Sequence, residues 1–164
     1  MHRSSIIVGA EDGHNQVSNR VYAAGRLSLT CKQMKLHHVG IVVKDLVSYG
    51  EAYASLLGLV ADSEVIYDPV QKVRAQFWRD ERDSVVELIE PASPDSPAWR
   101  ERQKGGGLNH LCYEVENIDQ QILDSVQKGG MVTSGLAPAV AFGGRRIAFL
   151  YFLELGLIEF LESA

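Results

Sequence analysis

Two stretches of this chain carry the same pattern at one fixed spacing. His38 and His110 stand 72 positions apart, as do Glu87 and Glu159. The same offset links Val43 to Val115, Gly58 to Gly130, Val60 to Val132, Arg74 to Arg146, Phe77 to Phe149 and Glu90 to Glu162, with no gap needed along the way. Self-similarity at a fixed period means that one structural unit is used twice. Two copies related by a pseudo-twofold axis can bring two imidazoles and two carboxylates to one point, which is a metal site in outline.

Each copy reads as βαβββ. In the first, residues 36–43 form a β-rich run in which Val39, Ile41 and Val43 alternate onto one face and His38, Gly40 and Val42 onto the other. This alternation places His37 with Val39 and Ile41, so His38 rather than His37 is the expected ligand. Asp45 is a plausible N-cap. Leu46, Tyr49, Tyr53, Leu56 and Leu57 then recur at helical spacing up to Gly58, a C-terminal stop. Strands are expected near 60–67, 72–79 and 84–90. The second copy has a strand over 108–115, a cap at Asn117, a helix lined by Ile118, Ile122 and Val126, and strands near 131–134, 145–152 and 156–162. The expected organisation is an N-terminal extension, 1–33, followed by one α+β domain, 34–164. That domain comprises module one (35–90), a linker (91–107) and module two (108–164), and its two modules form a curved mixed sheet around a metal-binding trough. The linker holds Ser-Pro-Asp-Ser-Pro, a short basic helix and three glycines, which lets one module turn over against the other.

Composition narrows the function classes. Net charge is −5, which argues against a nucleic-acid partner. No apolar run approaches the roughly 20 residues a bilayer span requires. Two cysteines, Cys31 and Cys112, are too few for a disulfide framework and read as free thiols of a reducing, cytoplasmic setting.

The chemistry rests on the repeated His and Glu. Glu87 lies in Val-Val-Glu-Leu-Ile and Glu159 in Leu-Ile-Glu-Phe-Leu. A carboxylate in an apolar strand is costly to bury unless something pairs with it. Two imidazoles and two carboxylates with water in the remaining positions suit a divalent Zn, Ni, Co, Fe or Mn ion, and open water positions mark a catalytic rather than a closed structural site. Glu90 and Glu162 also obey the offset, but they end their strands and are expected to be solvated.

Leu-His-His-Val-Gly-Ile-Val-Val-Lys-Asp-Leu, Val-Glu-Leu-Ile-Glu-Pro, Gly-Leu-Asn-His-Leu-Cys-Tyr-Glu-Val and Leu-Ile-Glu-Phe together resemble the vicinal oxygen chelate superfamily. That superfamily includes glyoxalase I, methylmalonyl-CoA epimerase, extradiol dioxygenases and antibiotic-resistance proteins. The resemblance covers about 34–164. It implies metal ligation by His38, Glu87, His110 and Glu159. It also implies abstraction of a proton next to a carbonyl, through a metal-stabilised enediolate, with Glu159 as base and Glu87 second. The His/Glu/His/Glu set is similar to that of glyoxalase I, so a lactoylglutathione lyase-like enzyme is the leading expectation. The linker is more similar to that of methylmalonyl-CoA epimerase, which is the alternative. Where some epimerases carry an extra catalytic Glu, the nearest match here is Gln76.

The substrate is expected to be small and glutathione- or CoA-linked. Gln76, Trp78, Arg145 and Arg146 are the candidate substrate contacts, with Phe77 and Phe142 as apolar walls and the basic linker residues Arg100, Arg102 and Lys104 as further anion contacts. A ring-cleaving dioxygenase is disfavoured by the fourth ligand, Glu159, and a metal-free antibiotic-binding protein by retention of all four. Relatives often dimerise, so a homodimer is an expectation of the resemblance. Both modules lie in one chain, so a complete site can form within a single copy.

Overall fold

A computed structural model of the chain describes residues 33–164. The expected extension, apart from Gln33, and Cys31 with it, lies outside the described residues. The elements follow the sequence reading closely. Module one runs β1 (Lys35–Val42), α1 (Leu46–Leu57), β2 (Val60–Ala61), β3 (Ile66–Asp68), β4 (Val73–Arg79) and β5 (Val85–Pro91). A one-and-a-half-turn helix, α2 (Trp99–Gln103), occupies the linker. Module two runs β6 (Gly107–Val115), α3 (Ile118–Gln127), β7 (Met131–Pro138), β8 (Arg146–Phe152) and β9 (Gly156–Glu162). The strand expected at 60–67 is two short pieces, both paired to β4.

Local chemistry sets the helix ends. The Asp45 carboxylate accepts from the Ser48 N–H at 2.8 Å, and the Asn117 side chain accepts from the Gln120 N–H at 3.0 Å. Gly58 closes α1 at φ +71°, a conformation that favours glycine.

The strands form one curved mixed sheet in the order β2-β4-β5-β1-β6-β9-β8-β7, with β3 also on β4. The two modules join along the antiparallel β1–β6 seam. There Val39 pairs with Leu111, its own repeat partner. The pseudo-twofold axis therefore passes through that pair, with His38 opposite Cys112 and Gly40 opposite His110 on either side of it. In each module the first strand lies parallel to the last, pairing Gly40 with Glu87 and Cys112 with Glu159. Next outward, Phe77 pairs with Glu87 and Phe149 with Glu159.

The helices cover one face. Leu46, Tyr49 and Tyr53 of α1 pack on Val43, Leu88, Val86 and Trp78. Ile118 and Ile122 of α3 pack on Val115, Leu150, Ile158 and Phe160. The opposite face carries Val42, Val73 and Ile89 in one cluster and Cys112, Ile147 and Leu161 in another, with the His and Glu residues between.

Glu90 departs from the expectation of a solvated strand end. It is buried; its Oε2 accepts from the Leu46 N–H at 3.0 Å and its Oε1 pairs with Arg74. The repeat counterpart is the Arg146–Glu162 pair. The arginine at the matching offset is what makes each carboxylate tolerable there.

Candidate metal centre and its cavity

Strand geometry delivers four donor atoms to one point. The Nε2 atoms of His38 and His110 lie 3.1 Å apart. Glu87 Oε2 is 3.3 Å from His38 Nε2 and 3.6 Å from His110 Nε2. Glu159 Oε2 is 3.3 Å and 3.2 Å from the same two nitrogens. A divalent ion bonded at about 2.1 Å holds neighbouring donors roughly 3.0–3.4 Å apart, depending on the bond angle. The spacing fits a single such ion. His38, His110 and Glu159 are all buried.

The outer contacts fix which nitrogens face inward. His110 Nδ1 donates to Asn109 Oδ1 at 2.9 Å, leaving the Nε2 lone pair for the centre. His38 Nδ1 lies 2.9 Å from His37 Nδ1. The expected placement of His37 with Val39 and Ile41 is not what occurs. The β1–β6 pairing skips one residue between Leu36 and His38, so His37 is the extra residue of a bulge. A bulge re-aims its side chain, and the His37 ring stands edge-on to His38, with centroids 5.1 Å apart.

Two lone pairs and two carboxylate oxygens converging in a dry site repel unless a cation sits among them. Without a metal, a proton takes that role. Burial acts to lower the His38 pKa, but the Glu159 and Glu87 carboxylates outweigh it and push the value up to about 9. Burial acts to raise the Glu159 carboxyl, and the His110 and His38 imidazoles outweigh that, holding it well below the usual carboxylate range. Burial, then the nearby Glu159 charge, pushes the Cys112 thiol up, so it stays protonated.

Gly40 is a steric requirement. A Cβ on Gly40 would lie 2.6 Å from His110 Nε2 and nearer still to other ring atoms. The His110 ring therefore lies directly over the glycine. At the equivalent place under His38, module two has Cys112.

Three of the four donor residues, Glu87, His110 and Glu159, line one wall of a cavity of about 410 Å³. Its other walls include Val73, Ala75, Ile89, Ile147, Phe149 and Phe142, and Glu101 of α2 also borders it. Glu101 carries no signal in the sequence. It sits in a helix read as basic, and nothing in the repeat marks it. One of its carboxylate oxygens, Oε2, is buried without a hydrogen-bond partner.

The four proposed substrate contacts do not line this cavity. Strand alternation turns Gln76 and Trp78 away from the side that Phe77 and Glu87 share. Gln76 donates its amide to the Ser63 carbonyl at 3.0 Å, and Trp78 packs against α1. Arg145 pairs with Glu114 at 3.3 Å and stacks over Phe142, while Arg146 is held by Glu162 and Asp119. In the linker helix, Arg102 donates to the Lys44 carbonyl at 3.0 Å. Phe142 does form a wall and stacks on His38, whereas Phe77 packs edge-on against His38.

A family model described as Glyoxalase/Bleomycin resistance protein/Dioxygenase superfamily matches residues 37–149. The chain belongs to this superfamily. It is 31% identical over 156 residues to the mitochondrial methylmalonyl-CoA epimerase of Homo sapiens, covering 92% of this chain and 80% of that protein. Among solved structures it is similar to a Streptomyces coelicolor methylmalonyl-CoA epimerase variant in complex with 2-nitronate-propionyl-CoA, at 25% identity and TM-score 0.67, covering 79% of this chain and 97% of that one. A methylmalonyl-CoA epimerase in complex with methylmalonyl-CoA and NH4+ is 26% identical, with TM-score 0.68, covering 80% and 95%. Among the described residues, no helix is long and apolar enough to cross a membrane.

Proposed function

We propose that the chain is a metal-dependent epimerase of a 2-substituted acyl-CoA thioester of the methylmalonyl-CoA type. The observation that carries this is the four-donor cluster, three of whose members line a largely apolar cavity, in a chain whose relatives are methylmalonyl-CoA epimerases. His38, Glu87, His110 and Glu159 hold the ion, which is Zn, Ni, Co, Mn or Fe. When bound, it supplies Lewis-acid stabilisation of negative charge on a substrate oxygen.

The protein's own groups move the proton. Glu159 is ionised, so it stands in the form that can take a proton from a carbon next to the thioester carbonyl. Epimerisation also needs a proton delivered to the opposite side of that carbon. Strand β4 offers no acid for this, because its cavity-facing residues are Val73 and Ala75. Glu87 is the repeat counterpart of Glu159 across the pseudo-twofold axis and is somewhat more open, at 12% against 3% side-chain exposure. Glu159 and Glu87 are thus the acid–base pair. The cavity's apolar walls exclude water from the reactive carbon.

A second reading, a glyoxalase I-like lyase acting on a hemithioacetal, draws support from the carboxylate of Glu87, which completes the His/Glu/His/Glu set similar to that of glyoxalase I. The test is proton NMR in D2O with metal-loaded protein. Deuterium should enter C2 of methylmalonyl-CoA and both epimers should appear. Exchange that persists at full rate in Glu159→Gln would overturn the role of Glu159. Turnover of the hemithioacetal of methylglyoxal alone would overturn the epimerase reading in favour of the lyase.

A further inference from the structure

We infer that His37 is a positioning residue of the metal centre, accepting the Nδ1–H of His38 and holding that imidazole with its Nε2 lone pair inward. This rests on the metal reading of the four-donor cluster. His38 has two ring nitrogens, each facing different groups. Its Nε2 faces His110, Glu87 and Glu159. To give a lone pair there, the neutral ring must carry its hydrogen on Nδ1. The acceptor available at 2.9 Å is His37 Nδ1. His37 must then present a lone pair at Nδ1 and carry its own hydrogen on Nε2. If a proton replaces the ion, both His38 nitrogens carry hydrogen and His37 is still the acceptor. The direction of this bond is therefore the same in both states.

The repeat supports the same role independently. The residue 72 positions on from His37 is Asn109, and Asn109 Oδ1 lies 2.9 Å from His110 Nδ1. Each ligand imidazole is thus backed by the side chain of the residue just before it, at equal distance. The chemistry of the two backings differs: an amide oxygen in one copy, an imidazole nitrogen in the other. The bulge in β1 brings His37 round to do this. The Phe142 ring, edge-on to His37 at 5.3 Å, fixes its ring plane.

A rival occupant exists for the same atoms. A ring nitrogen of His37, a ring nitrogen of His38 and Cys112 Sγ lie within 4.8 Å of one another and could hold a second ion. That arrangement would require His38 to use both nitrogens as ligands, as an imidazolate bridging two ions. The hydrogen-bond assignment needs no such deprotonation.

The experiment is Co(II) titration of the metal-free full chain, with absorbance and chelator competition, for wild type, His37→Asn and His37→Leu. Circular dichroism melting reports folding of each. The wild type should bind one ion per chain. His37→Leu should bind it 10- to 100-fold more weakly, the range typical of lost outer contacts. His37→Asn, which copies module two, should stay within about threefold, since the acceptor is restored. The inference is overturned if His37→Leu binds as tightly as wild type, or if His37→Asn is as weak as His37→Leu. A second ion with a thiolate-to-cobalt absorption band, lost in His37→Leu, would overturn it in favour of the rival site. A folded wild-type chain that binds no ion overturns the metal reading and this role with it, which separates the two failures.

Discussion

Gly40→Ala tests the geometry of the centre most directly. The residue lies in β1 opposite His110, and its backbone conformation is one that alanine can adopt. An added methyl would lie 2.5 Å from His110 Nδ1 and 2.6 Å from Nε2. Ordinary contact begins near 3.5 Å, so the ring must retreat by about 1 Å. A metal bond of about 2.1 Å does not survive such a shift. His110 is then lost as a ligand, and metal affinity should fall at least 100-fold, or about 3 kcal/mol. Overpacking should also cost the metal-free protein about 1–3 kcal/mol. The assay pairs chelator competition with denaturant unfolding, in wild-type and His110→Ala backgrounds. With the imidazole gone the clash is gone, and Gly40→Ala should become neutral or stabilising by up to about 1 kcal/mol, as expected for Gly to Ala in a strand. Wild-type affinity in Gly40→Ala would refute the reasoning. An equal loss of stability in both backgrounds would also refute it.

Three further outcomes follow from particular contacts. The His38 pKa is pushed up to about 9 in the metal-free fold, against about 6.5 unfolded, so its contribution is fully present below pH 6.5 and lost as pH rises through 9. Unfolding free energy of the chelated protein should therefore fall by up to about 3 kcal/mol over that window, while metal affinity rises because the competing proton leaves; a flat denaturation series from pH 6.5 to 9 would rule this out. Glu90→Ala should cost about 1–3 kcal/mol because it strips the Leu46 N–H of its acceptor and Arg74 of its partner, whereas Glu162→Ala, at a more open pair, should cost under about 1 kcal/mol by thermal melting. Glu101→Leu should leave stability within about 1 kcal/mol, since the buried Oε2 has no hydrogen bond to lose, yet it should shift KM for a CoA ester at least threefold; an unchanged KM would mean the carboxylate does not meet substrate.

Much of the fold is legible because its strongest signals are local and repeated. Alternation along β1 from His38 and along β6 from His110, the Asp45 and Asn117 caps and the Gly58 stop each act within a few residues, and each appears in the structure as read. The convergence of His38, Glu87, His110 and Glu159 was legible because symmetry brings equivalent residues together. The misplacements have definite causes. His37 was assigned by strict two-residue alternation, and a single-residue bulge breaks that rule without leaving a Gly or Pro to mark it. Gln76 and Trp78 alternate along β4 with the cavity-facing Val73 and Ala75, and a step of one residue inverts the face. Glu101 could not be found by periodicity, because α2 lies outside the repeat and meets the cavity only through the turn of the linker. Asn109 and Gly40 were available: one is the offset partner of His37, the other of Cys112.

The symmetry also bears on the reaction. Epimerisation passes through a planar carbon whose two faces must both receive a proton, so a catalyst serves it best when the two acids differ little in reach. A pseudo-twofold axis through Val39 and Leu111 supplies that relation for Glu87 and Glu159, each set beside the first strand of its own module. A lyase that moves a proton from one carbon to its neighbour has no such need and gains from one dominant base. The substrate cavity must still tell one end of the acyl group from the other. Under the proposed reading that distinction falls where the copies diverge: Ala75 lines the cavity from module one, and the bulkier Ile147 from the equivalent place in module two. Exchanging these two side chains, Ala75→Ile with Ile147→Ala, should leave the metal affinity unchanged and alter which acyl substituent is accepted. Loss of metal in that double variant would show that the cavity walls and the donors are not separable, and the division of labour between symmetric and divergent positions would fail with it.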